Sequence, residues 1–334
     1  MKKNVMVLGG AGFLGSHLCD RLLRDEETSV ICIDNLSTGT VDNIRHLLKY
    51  SQFKFLRLNI NDNFDLKQFP ELKELNIDGR GIQEIYNLAC PNSPKKFETQ
   101  RELIALTNSI GVINTLKLAE KYKSKYFLAS SSVVYGGVED KAVIFSENDL
   151  GAVDTMGTRA AYDEGKRFAE TLVSTYGDMH DLEIHIGRIF RTYGPRMSVG
   201  VGHLVPDFIM NALNHKDLVI YGSRGKASSF AYVDDVIEGI LKTMHKANYQ
   251  LPVNIGSPEA YRVVDVVNQI IYLTESKAKV KFEPPQPFMS ADLIPDIRLA
   301  KEKIGWFPIT NLNEGLVKTI ESTMSKLGII KFGS

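Results

Sequence analysis

No stretch of this 334-residue chain holds the roughly 18–20 consecutive apolar residues of a membrane span, so no membrane partner is expected. The N-terminus, Met1-Lys2-Lys3-Asn4, runs directly into Val5-Met6-Val7-Leu8-Gly9-Gly10, without the longer apolar run and small-residue cleavage site of a signal peptide. Cysteine is scarce. Cys19, Cys32 and Cys90 are odd in number and scattered, which gives neither a disulfide framework nor a zinc spacing. A reducing, cytoplasmic location is therefore expected. Net charge is lacking too, because forty basic and forty acidic side chains cancel. That excludes a nucleic-acid binder relying on bulk positive charge, and no nucleic-acid partner is expected. The seven histidines show no ligand spacing, so no metal is expected. Neither a sustained repeat nor a low-complexity linker is visible. What is present is the balance of a globular protein with a substantial core, 43% hydrophobic and 24% charged.

The first half alternates between strand and helix patterns. Apolar runs at 4–8, 29–33, 53–58, 82–88, 125–129 and 183–189 read as strands. Helical spacing is found at 13–23, where Phe13, Leu14, Leu18, Leu22 and Leu23 recur, and over 101–121 and 158–176. This alternation predicts an α/β fold of Rossmann type, a doubly wound parallel sheet with helices on both faces. After Arg191 the rhythm changes. A glycine-containing loop is followed by a helix at 203–213, a strand at 218–221, a helix at 261–274, a proline-rich segment at 284–295 and a last helix at 312–326. The division expected is a dinucleotide-binding domain over 1–190 and a smaller, mainly substrate-binding lobe over 191–334. The two are interleaved, because short strands after residue 215 can rejoin the first domain.

Gly9, Gly12 and Gly15 lie between the first strand and the first helix. Glycine there permits backbone geometry closed to other residues and lets a pyrophosphate approach the helix N-terminus. Asp34 ends the next strand. A carboxylate in that place accepts hydrogen bonds from the adenosine ribose hydroxyls and repels a 2′-phosphate, so NAD is expected in preference to NADP. Further along, Tyr162 and Lys166 form Y-x-x-x-K on a helix, both pointing the same way. An ammonium beside a phenol stabilises the phenolate and brings tyrosine toward the range of a general base. Ser130-Ser131-Ser132 follows a strand about thirty residues earlier, where a hydroxyl can hold the substrate oxygen.

In this order the motifs resemble the extended short-chain dehydrogenase/reductases that act on nucleotide sugars. Within them the chain resembles UDP-glucuronate decarboxylases, over Lys3 to about Thr319. The segments carrying that likeness are Asn87-Leu88-Ala89-Cys90-Pro91-Asn92-Ser93-Pro94, Ala161-Tyr162-Asp163-Glu164-Gly165-Lys166-Arg167, Arg188-Ile189-Phe190, Thr192-Tyr193-Gly194-Pro195-Arg196-Met197 and Pro252-Val253-Asn254-Ile255-Gly256. The resemblance implies Ser131, Tyr162 and Lys166 as the catalytic set. It implies cofactor contacts from Gly9, Gly12, Phe13, Leu14, Gly15, Asp34, Asn35, Ser37, Thr38, Gly39, Asn59, Ile60, Leu88, Ala89, Tyr162 and Lys166. Pro91, Ser132 and Val133 are implied at the substrate, and Cys90 is expected near the nicotinamide. Asn108 reads either as a water-organising group or as a helix hydrogen-bonding residue. The helices at 101–121 and 158–176 carry apolar stripes that, in this superfamily, pair between subunits, so a homodimer is expected.

Four positions depart from the decarboxylase pattern. Those enzymes and the 4,6-dehydratases carry a glutamate two residues before the Val-Tyr-Gly tyrosine. Here the tyrosine is Tyr135 and that place is Val133, so Ser130-Ser131-Ser132-Val133-Val134-Tyr135-Gly136 resembles the 4-epimerases instead. An arginine two residues before Pro-Asp-Ile is Leu293, and one in Gln-Thr-Arg-Ser-Phe is Ser228. The asparagine usual after Arg-Ile-Phe is Arg191. Two readings remain: replacement cations (Arg191, Arg224, Lys226 or Arg196) hold the substrate phosphates, or the site is remodelled for another ligand. The expected activity is NAD-dependent oxidation at carbon 4 of a nucleotide-activated sugar, as a 4-dehydrogenase or 4-epimerase. By family analogy it belongs to surface-polysaccharide precursor synthesis. The alternatives are UDP-glucuronate decarboxylation and a non-catalytic NAD-binding regulator.

Overall fold

The computed structural model describes residues 2–136, 143–246, 249 and 251–329. The chain opens with β1 (Lys3–Leu8), α1 (Phe13–Leu22), β2 (Thr28–Ile33), β3 (Phe53–Leu56), α2 (Ile77–Arg80) and β4 (Glu84–Asn87). Next come α3 (Arg101–Leu106) and α4 (Val112–Tyr122), then β5 (Lys125–Ser131), β6 (Val143–Phe145), α5 (Ala160–His180), β7 (Ile184–Ile189) and β8 (Thr192–Tyr193). The remainder holds α6 (Leu204–Leu213), β9 (Leu218–Tyr221), β10 (Ala227–Ser229), β11 (Ala231–Tyr232) and α7 (Val233–Met244). It ends with β12 (Val253–Ile255), β13 (Ala260–Arg262), α8 (Val263–Leu273), β14 (Val280–Glu283), β15 (Leu293–Pro295) and α9 (Leu312–Lys326).

Seven parallel strands form the main sheet in the order β12-β7-β5-β4-β1-β2-β3. Its faces follow from alternation along each strand. Val5 and Val7 of β1 enter one hydrophobic core, together with Leu18 of α1 and Val236 and Ile240 of α7. Met6 and Leu8 enter the other, with Val112 and Leu116 of α4 and Ala169 and Val173 of α5. Both faces are covered, which is why β1 and β2 read as unbroken apolar runs. Strand order reverses between β1 and β4, and a doubly wound sheet opens a ligand crevice beyond the strand ends at such a point. Among the described residues, no helix is long and apolar enough to cross a membrane.

Among the longer helices, three differ from the sequence expectation. The helix over 101–121 is interrupted by a π-helical turn at Thr107–Gly111, a single-turn widening that places Asn108 at the cleft side of the helix pair. The helix expected from 261 begins at Val263, because Ala260–Arg262 pairs antiparallel with Ala227–Ser229. Helix α7 was missed altogether. It sits under Trp306, whose indole donates to the Asp235 carbonyl at 2.9 Å while the Asp235 carboxylate accepts from the backbone N–H groups of Ile309 and Thr310. A Cβ on Gly239 would lie 3.0 Å from the indole, so this helix packs flush only with glycine there.

Candidate active site

At the switch point the backbone of Gly9 turns at φ +76°, pressed against Ala89 beyond β4. Gly12 donates to the Gly9 carbonyl at 3.1 Å and caps α1. A Cβ on Gly15 would stand 2.1 Å from that same carbonyl oxygen, so the first turn of α1 approaches the loop as closely as backbone allows. Asp34 faces this turn. One carboxylate oxygen accepts from Ala11 N at 3.0 Å and the other from Leu36 N at 2.7 Å. Burial raises its pKa, opposed by those amide bonds. The glycine cradle, the open N-terminus of α1 and a fixed carboxylate fit a dinucleotide with a free ribose diol.

Across the sheet edge, α5 carries Tyr162 and Lys166 on one face, one turn apart, over the end of β5. Lys166 Nζ donates to the Ala129 carbonyl at 2.8 Å. Ser131 shares a hydrogen bond with Tyr162, and Ser131 Oγ accepts from Val133 N at 3.4 Å. The phenol stacks on Phe97 at 4.9 Å, with the Arg159 guanidinium 5.8 Å from its ring. Burial pushes the Tyr162 pKa well above the usual phenol value, Cys90 adds to the rise, and the Ser131 hydrogen bond opposes it. Lys166, the group expected to favour the phenolate, lies on the same helical face with its Nζ on the Ala129 carbonyl. Asn108 donates to Cys90 Sγ at 3.2 Å and to the Ile104 carbonyl at 2.9 Å, so it holds the helix and the cleft-lining cysteine together.

One cleft gathers these groups. Gly9, Gly12, Phe13, Leu14, Gly15, Asp34, Asn35, Ser37, Thr38, Asn59, Ile60, Leu88 and Ala89 line it on the dinucleotide side. Pro91, Ser131, Ser132, Val133, Tyr162, Lys166 and Arg191 line the remainder. Asp34 is the only carboxylate among the described lining residues. Val133 is buried against Phe97, Ile104 and Tyr162, an apolar wall beside the phenol.

Four positions expected to touch a ligand are not on the lining of this cleft. Gly39 packs behind Asp34 and Ala11, where a Cβ would come within 3.0 Å of the Asp34 carboxylate. Arg196 turns back to an ion pair with Asp20 on α1. Arg224 lies 4.6 Å over the Phe282 ring. Lys226 pairs with Asp292 at 3.2 Å. Of the four candidate replacement cations, only Arg191 lines the cleft. Its Nη1 donates to Ser228 Oγ at 2.6 Å and to Asp292 at 3.2 Å, and its Nη2 to Ser290 Oγ at 3.2 Å.

Sequence reasoning missed Arg159, His203 and Ser290 on the lining, and Asp292 behind it. Arg159 was findable, being three residues before Tyr162 and so on its helical face. It grips Asp163 through two nitrogens and reaches the Phe288 carbonyl at 2.9 Å, tying α5 to the proline-rich segment. His203 donates from Nε2 to the Asn92 carbonyl at 3.0 Å, and burial pushes its pKa down to about 4. Among the described residues, no group of three or more His, Cys, Asp or Glu is placed to hold a metal.

A doubly wound sheet with a glycine turn at its switch point and a Ser–Tyr–Lys set across it defines an extended short-chain dehydrogenase/reductase. The family model for GDP-mannose 4,6 dehydratase matches residues 6–319, and the chain belongs to that family of nucleotide-sugar-modifying enzymes. UDP-glucuronic acid decarboxylase 6 of Arabidopsis thaliana is 36% identical over 327 residues, covering 98% of this chain and 90% of that protein. UDP-glucuronic acid decarboxylase 1 of Danio rerio is 36% identical over 320 residues, 96% of this chain and 72% of that one. Among solved structures, UDP-glucuronic acid 4-epimerase from Bacillus cereus, in complex with UDP-glucuronic acid and NAD, matches at a TM-score of 0.83. It is 26% identical, over 97% of this chain and 99% of that one. UDP-glucose 4-epimerase from Thermotoga maritima, solved with UDP-glucose, matches at 0.82 with 27% identity and coverage of 97% and 99%.

Proposed function

We propose that this enzyme uses NAD to oxidise the carbon 4 hydroxyl of a nucleotide-activated sugar, releasing the 4-keto sugar or reducing it again from the other face. One observation carries the reading: Ser131, Tyr162 and Lys166 share a cleft whose only described lining carboxylate is Asp34, bound to the glycine turn. The bound dinucleotide supplies the acceptor and donor of hydride. Ser131 orients the reacting oxygen, and Tyr162 accepts its proton as the carbon–hydrogen bond breaks. Lys166 provides the positive charge that favours the phenolate, and Asp34 holds the adenosine ribose. Val133 offers no group to move a second proton, which removes an acid–base contribution of about 10²–10⁴ from any chemistry beyond oxidation.

Decarboxylation of a uronate is the second reading, favoured by the 36% identity to two UDP-glucuronic acid decarboxylases. A β-keto acid formed by oxidation at carbon 4 loses carbon dioxide readily, so the absent acid alone slows that reaction without forbidding it. A purely regulatory role does not require Ser131, Tyr162 and Lys166 around one cleft. The names of the relatives favour a uridine nucleotide.

The test is turnover of pure protein with UDP-, GDP-, dTDP- and CDP-sugars, products read by mass and NADH by absorbance. A neutral sugar nucleotide should give a 4-keto or 4-epimeric product. Efficient formation of carbon dioxide and UDP-pentose from UDP-glucuronate would replace this reading by the second.

A further inference from the structure

Beside the catalytic strand lies an ionic cluster that the chemistry above leaves unused. Ser131 at the end of β5 is in register with Ile189 at the end of β7. Arg191 leaves the sheet two residues further on, so its backbone is within roughly 8 Å of the catalytic serine's. Its guanidinium is held on one side by Ser228, Ser290 and Asp292. Asp292 does not line the cleft; it sits behind, and its second oxygen takes Lys226 at 3.2 Å. All three charged side chains are mostly shielded, with 14–22% of their surface exposed. Two cations share one carboxylate, and Arg191 Nε has no partner among the described residues. The open edge of the guanidinium can therefore take one oxyanion side-on.

We propose that Asp292 is a specificity-determining residue: it is the built-in counterion of an oxyanion subsite centred on Arg191, and it fixes how much negative charge this end of the cleft accepts. The inference rests on the nucleotide-sugar reading. With Asp292 in place the cluster carries a single net positive charge. A ligand with one more negative group here meets a fixed carboxylate directly behind the arginine, in surroundings shielded enough for the repulsion to persist. The oxyanion is either a phosphoryl group or a carboxylate on the sugar ring.

The experiment measures, by calorimetry on the NAD-loaded full chain, the affinities of UMP, UDP, UDP-glucose and UDP-glucuronate. The UDP/UMP ratio reads a second phosphoryl group, and the UDP-glucuronate/UDP-glucose ratio reads a ring carboxylate. Asp292→Asn should shift one of these ratios about tenfold toward the more anionic ligand. Lys226→Met, which removes charge from the same cluster without touching the cleft lining, should shift that ratio the opposite way. The ratio that moves identifies the source of the oxyanion. A merely structural Asp292 would change all four affinities together, and unchanged ratios in both variants overturn the inference while leaving the nucleotide-sugar reading standing. Failure of all four ligands to bind the native protein overturns the uridine-nucleotide reading and this inference with it.

Discussion

Replacing Gly15 by alanine puts a methyl carbon 2.1 Å from the Gly9 carbonyl oxygen, 2.7 Å from Gly10 Cα and 2.8 Å from the Gly9 carbonyl carbon. All three neighbours are backbone, so no side chain can swing aside, and α1 must withdraw from the loop by about 1 Å to reach ordinary contact. Overpacking of this kind costs about 1–3 kcal/mol. Alanine recovers up to about 1 kcal/mol of helix propensity. The net expectation is a loss of about 1–2 kcal/mol, or roughly 1.5–3 °C in melting temperature for a chain of this size. Cofactor affinity should suffer more than stability, because the displaced turn is the one expected to approach the pyrophosphate. We expect NAD to bind at least about tenfold more weakly. Gly12→Ala is the graded comparison. Its Cβ meets only the Gly9 oxygen, at 3.1 Å, so a smaller effect on both readouts is expected. Gly225→Ala, with nothing within 4 Å, is the control. Thermal melts by circular dichroism and NAD titration of the three variants decide the matter. A Gly15→Ala protein that melts with the native enzyme and binds NAD unchanged would refute the close-approach reasoning.

Tyr162→Phe should lower turnover by about 10²–10⁴ with NAD affinity preserved, since it removes the proton acceptor and leaves the stack on Phe97. Asp34→Ser should narrow the preference for NAD over NADP, measured as the ratio of the two dissociation constants; equal affinity for both in the native protein would end that assignment. His203 has a folded pKa near 4 against an ordinary 6.5, so between those values the unfolded state holds more protons and stability falls as pH falls. Melting curves from pH 6.5 to 4 should therefore decline less steeply for His203→Asn than for the native chain. Ile110, 46% exposed in the π-helical turn, and Phe168, 49% exposed on α5, should lie in a homodimer contact. Light scattering should give a dimer for the native protein and a monomer for the Ile110→Glu, Phe168→Glu double variant.

Most of the doubly wound sheet was legible because its strands are buried on both faces and its helices on one. Those are the two patterns that periodicity reports. Helix α7 escaped because its sequence, Val233-Asp234-Asp235-Val236-Ile237, mixes a strand-like start with two acids, and its meaning depends on Trp306 some seventy residues away. The π-helical turn could not be read because it preserves the apolar spacing on either side. At the site, Asp34 and the glycine turn were legible from local order alone. Tyr162, Lys166 and the serine run were legible the same way, but choosing Ser131 among the three serines took the family likeness. The cations were not. An arginine's position in sequence says little about where five bonds of side chain carry its charge, and Arg196, Arg224 and Lys226 are each engaged by another side chain.

The departures from the decarboxylase pattern gain meaning together. Taken singly, Ser228 is a lost arginine, Leu293 another, and Arg191 an unexplained gain. In the structure Ser228 is a direct acceptor for the Arg191 guanidinium. The buried Leu293 adjoins Asp292, the carboxylate that Arg191 and Lys226 share. Arg191 needs the space and the hydroxyl that a small residue at 228 provides, and a bulky cation at that position would meet it head-on. At this edge of the sheet the positive charge therefore rests on Arg191 and Lys226 and is partly neutralised by Asp292. Val133 belongs to a different unit, the apolar wall on the far side of Tyr162. Two separate features, the apolar side chain at Val133 and the ionic cluster at Arg191, both border the cleft that holds Tyr162. Identity averaged over the whole chain weighs such positions no more than any others, so it does not by itself select among oxidation, epimerisation and decarboxylation here.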